Sequence, residues 1–313
     1  MTQAAKLVAL VGPTATGKSA LGLALAARFD GEIIACDSTA VYRGLDIGTD
    51  KVVPGEQRGI PHHLIDVAGP AEIYSAARYA AEAAAAVRGI MARGGVPILV
   101  GGTGFYFRAL VRGLFPGPAR DESLRRRLNR IADRRGVEAL HRWLTRVDAP
   151  AALRIQPRDR MRLVRAIEVY LLTGRPLTEH FAETASPIAG VDVLTLGIDL
   201  PRPLLRERIS RRVDAQFERG VVDELRRLVA SGVPLTAHAF TGLVYRQIVE
   251  MIQGVRDEAA TRALIVQENM RYARRQLTWF RKEPGVRWLA GAGESAAVQE
   301  QAGELVAKFL SAR

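Results

Sequence analysis

Residues 12–19 read Gly-Pro-Thr-Ala-Thr-Gly-Lys-Ser, matching the pattern G-x-x-x-x-G-K-[ST] without a mismatch. Each residue type has a physical use there. Gly12 and Gly17 let the backbone turn tightly enough for several N–H groups to face one anion. Pro13, Thr14, Ala15 and Thr16 form the turn between them. Lys18 brings a full positive charge to the terminal phosphate, and Ser19 can place its hydroxyl on Mg²⁺. A helix starting at this point adds the partial positive charge of its N-terminus. The plain alternative is a glycine-rich turn with an exposed lysine. An apolar run before the pattern and a helical run after it favour phosphate binding. The motif leaves open whether ATP, GTP or another diphosphate is held.

Phosphoryl-transfer enzymes with this loop carry an acid at the end of a second apolar strand, near Mg²⁺. Here the apolar segment 96–100 runs into Gly101-Gly102-Thr103, with no acid. The nearby strand-end acid is Asp37, closing EIIACD at 32–37. Ligands of parallel sheets bind at the carboxyl ends of strands, so Asp37 is expected in the same crevice as the loop. It can help order Mg²⁺ or act as a general base on a nucleophile. Thr103 also ends a strand and is a second candidate; its alternative role is a helix N-cap.

These residues need a scaffold. Segment 6–11 reads as a buried strand, the run after the loop as a helix, 32–37 as a second strand, 71–93 as a long Ala-rich helix and 96–100 as a third strand. Strand and helix in alternation imply an α/β fold, a parallel sheet covered on both faces as in P-loop NTPase-like cores. From 118 to 190 helical patterns dominate. Segment 120–136 holds seven Arg, with Leu124, Leu128 and Ile131 at helical spacing. Segment 158–172 is a second basic helix on which Arg158, Arg162 and Arg165 share a face, while Met161, Val164 and Ile167 form an apolar stripe expected to pack inward. A linker at 183–190 and a strand at 193–199 follow. The expected organisation is a catalytic core of 1–117 and 191–313 interrupted by an all-helical insertion, 118–190.

Composition narrows the function classes. The 313 residues are 48% hydrophobic, ample for a core. Lys and Arg number 45 against 33 Asp and Glu, a net charge of +12, which suits a polyanionic partner. Cys36 is the single cysteine, so an internal disulfide and a cysteine-rich metal site are excluded, and its apolar neighbours suggest a small buried residue. No run is long and apolar enough for a membrane span, and the first residues do not read as a signal peptide. A cytoplasmic protein is expected. His62 and His63 lack partners at metal-binding spacing and read as structural.

Taken together the chain resembles the tRNA dimethylallyltransferase, or tRNA isopentenyltransferase, family over nearly its whole length. The resemblance rests on GPTATGKS (12–19), DSTAVYRGLDIGT (37–49), PHHLIDV (61–67), YSAARY (74–79), LVGGTGFYFRAL (99–110), RMRLVRAIEVYLLTGRPLT (160–178) and RYARRQLTWFRK (271–282). The first is generic to phosphate loops; the combination of the second, the GGTGFYFRAL run and the RLVRAIEV helix, in this order and spacing, is highly specific. The resemblance implies transfer of a dimethylallyl group from dimethylallyl diphosphate to N6 of the adenosine next to the anticodon of tRNA, with diphosphate leaving. Residues 12–19 would then cradle a leaving group, with Lys18 and Thr16 on the diphosphate and Ser19 on Mg²⁺. Asp37 would accept the proton of the attacking amine, and Thr103 would contact substrate. Asp37, Ser38, Thr39 and Ala40, and Met161, Arg162, Leu163, Val164 and Arg165, match tRNA-contacting stretches. The implied partners are the tRNA anticodon stem-loop and dimethylallyl diphosphate. The sequence leaves the oligomeric state open, though a monomer suits an enzyme that wraps an anticodon arm.

Two positions depart from the family pattern. Thr39 and Ala40 stand where many relatives have Met-Gln, and Ala40 cannot hydrogen-bond a base. In TGLVYRQ, Val244 stands where Gly is usual. Valine resists positive φ, so the backbone there is expected to be ordinary or the turn to have moved to Gly242. Arg206, Arg208, Arg211 and Arg212 can close over the diphosphate, contact RNA or face water; one of them is expected to be functional. Arg274, Arg275 and Arg281 are candidates for an RNA face, while Tyr42 and the aromatics of GFYF belong more naturally to the core. The competing functions are a small-molecule kinase using ATP, an adenylate isopentenyltransferase acting on a free nucleotide, and a non-catalytic RNA-binding protein. Intact Lys18, Ser19, Asp37 and Thr103 argue against the last.

Overall fold

A computed structural model describes residues 5–312. Six strands form one parallel sheet in the order β3-β2-β4-β1-β5-β6. They are β1 (Ala5–Val11), β2 (Gly31–Cys36), β3 (His62–His63), β4 (Val96–Gly101), β5 (Val191–Asp199) and β6 (Val286–Ala290). β1 lies in the middle, in register with β4 through Ala9 and Leu99 and with β5 through Ala9 and Thr195. All partners run the same way, so the carboxyl ends of β1, β2 and β4 open on one edge.

The apolar runs are near-continuous because both faces of the sheet are covered. Along β1, Leu7, Ala9 and Val11 enter one core and Val8 and Leu10 the other. α1 (Lys18–Phe29) and α13 (Ala296–Ser311) cover the second face, with Leu21, Leu25, Val298 and Val306 buried. The first face is covered by α2 (Ala76–Ala92), α3 (Gly104–Val111), α9 (Arg202–Glu218), α10 (Val221–Ala230), α11 (Tyr245–Ile252) and α12 (Glu258–Phe280). The Ala-rich α2 packs Ala80, Ala83 and Ala84 inward, and its Tyr79 stacks on Tyr106 at 4.2 Å between centroids. Tyr42, Tyr106 and Phe107 are core residues, and only Phe105 of the GFYF run is exposed. Among the described residues no helix is long and apolar enough to cross a membrane.

The chain divides into two compact units, Met1–Val111 with Pro187–Arg313, and Arg112–Ser186. The helical unit thus begins before residue 118 and ends before 190. It comprises α4 (Glu122–Arg135), α5 (Val137–Val147), α6 (Ala149–Arg154), α7 (Arg160–Thr173) and α8 (Leu177–Phe181). Aspartates cap three of these helices: Asp121 for α4, Asp148 for α6 and Asp159 for α7, each accepting a backbone N–H of the first turn. Leu128, Leu140, Leu144, Leu163, Val164 and Ile167 form its core.

Candidate active site

The loop between β1 and α1 takes the conformation its glycines allow. Gly12 has φ +134° and lies so close to β5 that a Cβ would stand 2.6 Å from the Ile198 carbonyl oxygen. Gly17 has φ +87°, and a Cβ there would collide with the Glu294 carboxylate. Thr16 is fully buried and its hydroxyl donates to the Pro13 carbonyl at 2.9 Å, closing the turn. No side chain caps α1, so its first-turn amides remain open to an anion. Lys18 Nζ donates to the Pro13 carbonyl at 2.5 Å. Its enclosure, reinforced by the Arg212 guanidinium and opposed by Asp37, lowers its pKa to about 7. The lysine therefore gains most from an anion brought alongside it.

Two arginines of α9 reach over this loop. Arg208 Nε donates to the Ala15 carbonyl at 2.7 Å and pairs with Glu294 at 2.5 Å. Arg212 Nη1 donates to the Thr14 hydroxyl at 2.8 Å, and its Nε pairs with Asp50 at 2.6 Å. Burial pushes the Asp50 carboxyl up, against the pull of Arg212 and Arg219. Asp50 belongs to a loop that Glu224 fixes: the Glu224 carboxylate accepts the amides of Asp46 and Ile47, both at 2.8 Å, and the Tyr245 hydroxyl at 2.6 Å.

Asp37 follows β2 directly. Its Oδ1 accepts the Thr39 amide at 2.8 Å, the Thr39 hydroxyl at 2.6 Å and the Ala40 amide at 3.3 Å. This turn aims the carboxylate toward the loop's edge of the sheet. Thr103 follows β4. Its hydroxyl accepts the Ser38 amide at 3.1 Å. It therefore braces the Asp37 turn. The chain approach behind it is close, since a Cβ on Gly101 would collide with the Cys36 carbonyl. Cys36 is buried and burial pushes its thiol up to about 12, which leaves it inert.

Two cavities meet at these residues. One, of about 480 Å³, is lined by Thr14–Ser19, Asp37, Ala40, Arg208, Arg211 and Arg212. The other, of about 420 Å³, is lined by Asp37, Ser38, Thr39, Gly242–Val244, Arg246, Asn269 and Arg275. Thr14, Asp37, Thr49, Arg212 and Tyr272 line both and form the partition. Ala40, expected with Asp37–Thr39 on the RNA side, faces the phosphate cavity and is buried.

The IPP transferase family pattern matches residues 40–283. The chain is 46% identical over 304 residues to a tRNA dimethylallyltransferase of Koribacter versatilis, covering 96% of this chain and 97% of the relative. It is 47% identical to one from Solibacter usitatus, with 97% and 99% covered. The chain belongs to the IPP transferase family. Within that family, a solved full-length tRNA isopentenylpyrophosphate transferase from Bacillus halodurans is 36% identical, with a TM-score of 0.73 over 97% of this chain and 96% of that one. A eukaryotic dimethylallyltransferase caught acting on tRNA gives 0.81 at 26% identity, over 98% of this chain and 80% of that one.

This IPP transferase chain departs from several expectations for single residues. In the helical unit Arg158 precedes α7, 90% exposed, and pairs with Glu138, so it does not share the α7 face. Met161, expected to pack inward, is 75% exposed because Asp159 caps the helix and leaves Met161 in its first turn. Leu163 and Val164 are core residues and cannot present side chains to RNA. Arg162 is exposed, whereas Arg165 is committed to buried Glu168 at 2.8 Å and to the Pro118 carbonyl at 2.9 Å.

In the core unit neither backbone expectation for the TGLVYRQ run holds. Val244 itself takes φ +76° and ψ −64°, and Gly242 has φ −69°. Its side chain is buried, which offsets a backbone cost of about 1–3 kcal/mol. His63 bonds Glu32 at 2.6 Å and His62 the Ile60 carbonyl at 2.8 Å, both structural contacts.

Two site residues on α12 escaped the sequence reading, Tyr272 and Gln276. Gln276 Oε1 accepts the Thr14 amide at 2.9 Å while its Nε2 donates to the Gly102 carbonyl at 2.9 Å. It ties the phosphate loop to the end of β4. Their spacing of four, on the face opposite Arg274, was the available signal.

Proposed function

We propose that this protein transfers a dimethylallyl group from dimethylallyl diphosphate to N6 of the adenosine 3′ to the anticodon in tRNA, releasing diphosphate. The observation that carries the proposal is the pair of cavities with Asp37 and Arg212 in their common wall. One is built for a diphosphate and the other takes a base.

The chemistry follows from the residues. The allylic C1–O bond breaks and its electron pair leaves with the diphosphate. The α1 amides, Lys18, Arg208 and Arg212 stabilise the charge that develops there. The N6 lone pair forms the new C–N bond from the other side of the partition. The proton that N6 loses goes to Asp37, whose Oδ1 is held by Thr39 and Ala40, and from there to solvent. No P–O bond breaks. The loop acts as the cradle of a leaving group.

Among the described residues no three His, Cys, Asp or Glu side chains converge as a metal cluster. The Ser19 hydroxyl lines the phosphate cavity. A single hydroxyl fits a magnesium ion bound mainly by diphosphate oxygens and water. Such an ion would neutralise charge on the leaving group.

A base stacked within the anticodon loop cannot reach Asp37 in the cavity wall, so it leaves the stack and its stacking loss is offset inside. Exposed Arg162 and Met161 of α7 are the surface offered to the anticodon stem-loop. A monomer suffices, because one chain supplies both cavities.

The test is a transfer assay with Mg²⁺, labelled dimethylallyl diphosphate and unmodified tRNA, with AMP and ATP in parallel. Label on tRNA alone is the expected result. Label on AMP would assign a free-nucleotide acceptor, and ATP consumption without prenyl transfer would assign a kinase.

A further inference from the structure

The partition between the cavities holds one aromatic ring. Of the five residues shared by both linings, Asp37 is the base, Arg212 a counter-charge, Thr14 part of the phosphate loop and Thr49 a small hydroxyl. Tyr272 is the fifth and supplies the only phenyl or phenol surface in either lining among the described residues. Tyr42, Tyr79, Tyr106 and Phe107 lie nearby in sequence motifs but are buried in the core.

The ring is fixed. α12 sets its base, with Gln276 one turn further on anchored to the phosphate loop. Its hydroxyl lies beside Thr103. Burial, then the charge of Asp37, pushes the phenol up to about 12. It stays neutral near pH 7 and does not compete with Asp37 for the N6 proton. Its π surface already meets a cation: the Arg275 guanidinium stands 5.6 Å from the ring centroid. Arg275 lines the acceptor cavity and not the phosphate cavity, so the latter approach to the ring is left to the substrate.

We propose that Tyr272 is a catalytic residue whose ring flanks the allylic carbon as it crosses the partition. The inference rests on the proposed prenyl transfer. As the C1–O bond lengthens, positive charge spreads over the allyl unit. An aromatic face stabilises a desolvated cation through its quadrupole, where a carboxylate or an amide would attack it. The ring also keeps water from the carbon. Water would otherwise form the C–O bond in place of N6, giving dimethylallyl alcohol and diphosphate and passing its proton to solvent.

The experiment uses full-length protein, unmodified tRNA, Mg²⁺ and dimethylallyl diphosphate labelled in the allyl group, counting prenyl-tRNA and dimethylallyl alcohol separately. Tyr272→Phe keeps the ring and is expected within about threefold of the wild-type turnover. Tyr272→Leu is expected to lose about 30-fold in kcat, the scale of one desolvated cation–π contact. Its KM for dimethylallyl diphosphate should stay within about threefold, with a larger share of alcohol. A series of ring-fluorinated phenylalanines at 272 holds the packing while draining the quadrupole, and kcat should fall stepwise along it.

A flat fluorine series, or equal losses in the Phe and Leu variants, would overturn the inference and leave the transfer reaction standing. A wild-type protein that moves no label to tRNA would overturn both.

Discussion

The arginines of α9 and of α7 look alike in sequence and are set in opposite ways. Arg208 and Arg212 turn onto the phosphate loop, donating to a carbonyl and a hydroxyl of its backbone turn while Glu294 and Asp50 hold their other edges. On α7, Arg162 keeps only its own cap, Asp159, and is 67% exposed, while Arg165 is spent on Glu168, which is fully buried. A charged residue is assigned by the partner the fold brings to it. Where the partner is a loop shaped for anions, the guanidinium adds to a binding site. Where the partner is a buried carboxylate, it completes a staple. Where little is supplied, it stays exposed.

That contrast can be broken by experiment, beginning at the site both cavities share. Asp37→Asn keeps an acceptor for Thr39 and Ala40 but cannot take a proton. Single-turnover transfer should fall by about 10³-fold, within the range for a general base, while tRNA affinity in a filter-binding assay stays within about threefold. Equal losses in both would move Asp37 to the RNA surface.

Arg212→Met should raise the KM for dimethylallyl diphosphate by about 10- to 100-fold, the scale of a charge-assisted hydrogen bond, with little change in tRNA affinity.

The lowered pKa of Lys18 gives a pH prediction with a definite sign. Above about 7 the free lysine is increasingly neutral, and an anion restores its proton. Diphosphate binding at pH 8 should therefore take up a proton and weaken by up to about tenfold per pH unit as the pH rises further. Calorimetry in buffers of different ionisation enthalpy reads the uptake, which Lys18→Met should abolish.

The smallest effects belong to α7. Arg162→Glu should weaken tRNA binding a few-fold and lower the salt slope by about 1, leaving the diphosphate KM unchanged. Arg165→Ala should instead lower the thermal stability of the helical unit by about 2 kcal/mol, because Glu168 loses a charged partner in a buried place. If Arg165→Ala reduces tRNA affinity without a stability loss, the division between the two arginines is wrong.

Much of the site was legible because backbone chemistry fixes it. A glycine pair leading into a lysine, apolar runs with both faces buried and an acid closing a strand gave the loop, the sheet and Asp37, since parallel strands bring their carboxyl ends to one edge. What stayed hidden depends on helix rotation and tertiary partners. Four arginines between 206 and 212 read as one charge run, and only the fold separates Arg208 and Arg212 on the loop from Arg206, which lines a different cavity. Tyr272 and Gln276 sit in a basic stretch, and only the rotation of α12 turns them into the site. Met161 read as core by spacing, yet the Asp159 cap places it at an exposed helix start. Val244 overturned a sound local rule because burial of its side chain outweighs the cost of positive φ.

The central claim is that the phosphate loop holds a leaving group and that carbon–oxygen cleavage is the chemistry. The most direct measurement uses dimethylallyl diphosphate carrying ¹⁸O at the oxygen that bridges C1 and phosphorus, with mass spectrometry of the products after one turnover on tRNA. The expected result is full retention of ¹⁸O in the diphosphate and an unlabelled prenyl group on adenosine. Recovery of ¹⁸O with the prenyl fragment, or release of monophosphate, would mean that a P–O bond breaks in the cradle and would contradict the account.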